Sequence, residues 1–245
     1  MKQAVVRLEE RRERIQAAAE GRRVDLYTTI HKGLRTFMAR TLEAVGRMDA
    51  ADVEDVAQTL AQLRALLGLM RTHMHAENQF LHPALEARRP GAARRTAGEH
   101  VEHEHAFEEL HSAILALERA DRPARAGAAT LLYRRLALFV GENLEHMHFE
   151  ETENNALLWA AYSDAELAGI HDALLASIAP DERALALHWM LPALNAAERA
   201  GMLTELQGKL PAAAFAGLLA GLRPALSVRD WGKLTAALGP VSSSN

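Results

Sequence analysis

Two ionisable pairs, His73-x-x-x-Glu77 and His146-x-x-x-Glu150, each extend an apolar stripe that recurs every three or four residues. Leu63, Leu66 and Met70 lead into the first, and Leu132, Leu136, Phe139 and Asn143 into the second. Residues at i, i+3 and i+4 share one face of an α-helix, so each pair points into the seam its leucines bury. Two more stripes behave alike: Val24, Tyr27, His31, Leu34 and Met38, then His100, His103, Phe107, Leu110, Ile114 and Leu117. Burying such groups unpaired is costly. A bound cation offsets that cost by taking the imidazoles neutral and the carboxylates ionised.

The rest of the chain is patterned for helix. Ala, Leu, Glu and Arg dominate and β-branched residues are sparse. The periodicity predicts long helices over roughly 24–45, 51–86, 93–119 and 127–159, with Arg88-Arg89-Pro90-Gly91 and Asp121-Arg122-Pro123 as stops. Four such helices with short connections make an all-α, antiparallel four-helix bundle. We expect a charged helical lead-in over 1–23, the bundle over 24–160 and an accessory helical region over 161–245. The last opens on a capping box, Ser163-Asp164-Ala165-Glu166, and ends in a frayed tail at 241–245. Its apolar residues, Leu174, Trp189 and Leu191 among them, must pack on the bundle, on the region itself or on another subunit. Residues 163–239 are therefore the candidate surface for a protein partner or self-association.

Composition narrows the chemistry. The chain has no cysteine, which excludes disulfides, zinc–thiolate sites, iron–sulfur clusters and cysteine nucleophiles. A net charge of -4 gives no global basic field, so no nucleic-acid partner is expected. No signal peptide fits the charged N-terminus and no stretch reaches the roughly 20 apolar residues of a membrane span, so a cytoplasmic protein is expected. Ten of the 12 histidines lie between 31 and 148, within the expected bundle.

His31 and His73 are 42 residues apart and His103 and His146 are 43 apart, as two copies of one helix hairpin would be. Both groups then fall far from their turns, at one end of the bundle. Imidazole with carboxylate suits iron, manganese or zinc. A polar core network without metal is the alternative. His75, His82, His105, His111 and His148 are expected at the surface or in support of the site. Glu104, Glu108, Glu109 and Glu151 are expected on a solvated face.

These motifs resemble the hemerythrin-like (HHE cation-binding) domain over about 24–160. The resemblance rests on Ile30-His31-Lys32-Gly33-Leu34-Arg35, on the run from His73 to Leu85, on Glu99-His100-Val101-Glu102-His103-Glu104, and on His146-Met147-His148-Phe149-Glu150-Glu151. It implies a four-helix bundle with a carboxylate-bridged pair of non-haem irons. The implied ligands are His31, His73, Glu77, His100, His103, His146 and Glu150. Oxygen-carrying members space the third-helix histidines by four and end the last motif with an aspartate five residues after its histidine. Here the histidines are three apart, and Glu150 or Glu151 takes the last place. The stripe through Phe107 and Leu110 favours His103 over His100. The implied function is binding or sensing of dioxygen, reactive oxygen or nitrogen species, or iron. The alternatives are a di-iron oxidase or peroxidase-like enzyme, and a regulatory helical module with a structural or sensory metal.

Overall fold

Asp25 sets the start of the first helix, because its Oδ1 takes the amides of Tyr27 and Thr28 at 2.9 Å each. Helix α1 therefore spans Thr28–Arg47, a turn later than the periodicity alone predicts. The computed structural model describes residues 23–239, and every regular element among them is helical. Asp52 caps α2, which continues from Val53–Ala76 through a π-helical stretch, Glu77–Leu81, into His82–Arg88. Helix α3 is Arg94–Arg119. Helix α4 runs Arg122–Phe149, a second π-helical stretch Glu150–Asn154, and Asn155–Ala161. It begins five residues before the expected Gly127. Asp121 accepts the Ala124 amide and Pro123 sits in the first turn, so the tripeptide that stops α3 also launches α4.

Neighbouring helices run in opposite directions, as their contacts show. On α1 and α2, His31 meets His73 while Thr41 meets Gln62. On α2 and α3, Asn78 meets His100 while Arg64 meets Glu118. On α3 and α4, Glu99 meets His146 while Arg135 reaches the Glu109 carbonyl. Leu34, Phe37, Leu63, Leu66, Ile114, Leu117, Leu132, Leu136 and Phe139 fill the core between them. At the end beyond the histidines, Tyr27, Leu81, Leu85, Leu158 and Leu167 form a second cluster that closes that end.

Five shorter helices follow: α5 Asp164–Ser177, α6 Pro180–Ala193, α7 Ala196–Lys209, α8 Ala212–Leu222 and α9 Val228–Leu238. The Ser163–Glu166 capping box forms as its sequence dictates. This region buries apolar side chains both on itself and on the bundle. Leu191, Leu203, Phe215, Leu222, Leu226 and Leu234 make a core of their own. Buried Arg199 closes it by donating to the Leu191, Pro192 and Leu194 carbonyls left open at the end of α6. Helix α6 also lies along α1, with Trp189 stacked on Phe37 at 3.9 Å between ring centroids. The charged lead-in expected over 1–23 lies, Arg23 excepted, outside the described residues, and so does the tail at 241–245. No helix among the described residues is long and apolar enough to cross a membrane.

Close approach of α1 and α6 depends on Gly33, where a Cβ would stand 2.8 Å from the Met190 Cα. Gly33→Val forces the helices apart. Overpacking of this kind costs about 1–3 kcal/mol. Thermal unfolding followed by circular dichroism should show a midpoint several degrees lower, and an unchanged midpoint would mean that α6 is not held there.

Candidate metal centre

Six side chains from four helices converge where the apolar stripes end. They form two groups that share both glutamates: His31, His73, Glu77 and Glu150, and Glu77, His100, His146 and Glu150. The Nε2 atoms of His31 and His73 are 3.2 Å apart, and those of His100 and His146 are 3.0 Å apart. Glu77 Oε1 lies 3.2 Å from His73 Nε2, while its Oε2 lies 3.5 Å from His100 Nε2. Glu150 Oε2 stands 3.5 Å from His31 Nε2 and 3.4 Å from His146 Nε2. Both carboxylates are buried.

The outer ring nitrogens fix how these imidazoles present themselves. His31 Nδ1 faces Glu151 Oε1 at 3.1 Å, His100 Nδ1 faces Asn78 Oδ1 at 2.8 Å, and His146 Nδ1 faces Glu99 Oε2 at 2.8 Å. Each acceptor takes an N–H, so in the neutral ring the lone pair is left on Nε2, pointing inward. At His100 and His146 the lone pairs then meet at about the separation that two right-angled ligands have on one ion with bonds of about 2.1 Å. Neither oxygen of Glu77 or Glu150 has a hydrogen-bond partner among the described residues. Such groups are rare in folded proteins unless an ion or water satisfies them. The donor set fits a cation.

Titration behaviour agrees with that geometry. Burial drives His73 down to about 4, against the opposing pull of Glu77, and takes His100 down to about 3. Burial also lowers His103 to about 4. All three are neutral near pH 7. His31 differs, because Glu151 and Glu77 outweigh its burial and raise it. Burial, reinforced by the charge of Glu77, lifts Glu150 well above the ordinary carboxylate range.

His103, favoured by its stripe, stands outside both groups. Its ring lies 4.8 Å from that of His146, on the wall of a cavity of about 10 Å³ with Met70, Met74, Phe107, Asn143 and Met147. His100 takes the place beside Glu77, one helical turn nearer the π-helical stretches. His82 is buried, not at the surface, and stacks on His100 at 4.8 Å. Glu151 is not on a solvated face: it lies between His31 and the Arg35 guanidinium. His75, His105 and His111 are exposed, and Glu104 pairs with Arg71. The supporting roles of Asn78 and Glu99 were not legible beforehand. The one usable signal was their place immediately after Glu77 and before His100.

A family model described as the hemerythrin HHE cation binding domain matches residues 22–158, more than half of the chain. No curated protein and no solved structure matches it.

Because burial and the charge of Glu77 hold the Glu150 carboxyl well above the ordinary carboxylate range, entry of a divalent cation should be coupled to proton release. Binding should therefore tighten as pH rises. Calorimetric titration in two buffers of different ionisation enthalpy should report proton release, and Glu150→Gln should reduce that release. Uptake without protons would contradict the burial of a protonated carboxyl there.

Proposed function

The chain belongs to the hemerythrin HHE cation-binding family, and on that premise we propose that it binds two non-haem irons and uses them to bind or sense a small molecule. Dioxygen, a reactive oxygen or nitrogen species, or iron itself is the species read. The observation that carries the two-ion reading is the placement of Glu77, whose two oxygens face different histidine pairs. A carboxylate so placed suits a bridge. One ion falls to His31 and His73, the other to His100 and His146, with Glu77 and Glu150 shared. Bound iron would supply one-electron chemistry and a coordination position for an added ligand.

The chain's own residues support a small-ligand role. The cavity of about 10 Å³ beside His73, His100 and His146 has room for roughly one water-sized molecule. Met70, Met74, Phe107 and Met147 make its walls largely apolar. An organic substrate has no room there, which disfavours an oxidase acting on one. A sensory reading has its own support. Helices α6 and α7 bind the bundle through the neighbours of two of these histidines, with Glu182 of α6 on Thr72 and Glu198 of α7 on Lys32.

Metal analysis of anaerobically purified chain, with absorption spectra before and after admitting air, tests the proposal. Two irons per chain and new near-ultraviolet bands in air are expected. Zinc, or no metal even after reconstitution with iron, would overturn it. His100→Ala should lower the iron content, while His103→Ala should leave it at two. The reverse pattern would restore His103 as the ligand.

A further inference from the structure

The two halves of the bundle repeat at a constant offset of 73 residues. His73 and His146, Met74 and Met147, His75 and His148, and Glu77 and Glu150 all correspond, and both π-helical stretches begin on the glutamate. The residue after each glutamate reaches across to the histidine of the other half, Asn78 to His100 and Glu151 to His31. One architecture thus builds two positions, but equips them differently.

At the position of His100 and His146, both outer nitrogens are held, by Asn78 and by Glu99. The Glu99 oxygen on His146 is Oε2, and Arg95 takes Oε1, so the two contacts do not compete for one atom. At the position of His31 and His73, only His31 is held. Its partner atom, Glu151 Oε1, is also the atom that Arg35 Nη1 engages, which draws charge away from the imidazole. His73 Nδ1 has no partner among the described residues. Its side chain is 12% exposed, against 0% for His31, 4% for His100 and 6% for His146. Outer partners orient a ligand histidine and raise its basicity, and losing one typically costs about 10–100-fold in metal affinity.

We propose that the two positions are inequivalent: the one on His100 and His146 fills first and holds its ion more tightly, and the one on His31 and His73 exchanges. This rests on the two-ion reading above. A centre of this kind keeps one resident ion and tunes its occupancy through the other. His73, the least supported and most exposed of the four rings, is the point at which the second ion comes and goes.

Anaerobic titration of the metal-free full chain with cobalt(II), against a competing chelator and read by visible absorption, tests this. Two steps are expected, with dissociation constants at least about tenfold apart. Asn78→Ala and Glu99→Gln should each weaken the first step and draw the two together, while Glu151→Gln should weaken the second and part them further. Asn78 is exposed, so its truncation leaves the core intact. Circular dichroism of each variant checks that the helices persist. One step taking up two ions, or a first step indifferent to Asn78→Ala, would overturn the inequivalence and leave the two-ion reading standing. Failure to bind cobalt or iron at all would overturn both.

Discussion

Glu77 and Glu150 are buried where side chains from all four bundle helices converge, and neither carboxylate has a hydrogen-bond partner among the described residues. Buried carboxylates without partners destabilise a fold by far more than a surface ion pair returns. The surrounding imidazoles do not relieve this when neutral, because their inward nitrogens offer lone pairs and not protons. A cation reverses the sign of each of these contacts at once. Carboxylate oxygens and imidazole nitrogens that crowd one another without the ion become ligands of a common charge. The convergence of α1, α2, α3 and α4 on one point is therefore tolerable because that point is built to be occupied.

Sequence patterning made much of this legible. The four stripes through Leu34, Leu63, Leu110 and Leu136 are buried as the three-four spacing requires, and the histidines fall at one end because each stripe is interrupted there. What the pattern could not carry was the local departure from the α-helix. After Glu77 and after Glu150 the backbone bonds fifth neighbours, His82 to Glu77 and Asn155 to Glu150. A π-helical turn widens the helix and rephases the residues beyond it, and no residue type marks it in advance. Wheel arguments therefore held for the glutamates and failed just past them. They placed Glu151 on a solvated face, whereas it faces His31, and they left His82 between the surface and a supporting place, of which it takes the second.

The choice between His100 and His103 shows the same limit on a regular helix. Both lie on the buried face of α3, and spacing alone ranks them by their fit to Phe107 and Leu110. Height along the bundle decides the matter. The carboxylates enter from the π-helical turns, one turn beyond His103, so the ring that meets Glu77 Oε2 is the one at position 100. His103 is left one layer deeper, beside Phe139 and the methionines, on the wall of the small cavity that Glu77 and His100 also line.

Helix α6 extends this logic beyond the bundle. On an α-helix the residues next to an inward-facing ligand point sideways, and those are the residues α6 and α7 use. Lys32 and Gly33 follow His31, and Thr72 precedes His73. Glycine at 33 lets the Met190 backbone approach to a distance that any larger residue would forbid. The ring of Trp189 then lies flat on Phe37, one turn further along α1. Helix α1 is thus gripped on one side by the carboxylates and on another by α6. A rotation of α1 that withdrew His31 from Glu150 would also drive Gly33 into Met190 and pull Phe37 from Trp189. Packed helices resist such motion because close-packed interfaces shift between discrete arrangements and do not deform smoothly. The geometry of the histidine that faces the exchangeable position and the docking of the C-terminal helices are consequently one mechanical unit, and a change in either is felt by the other.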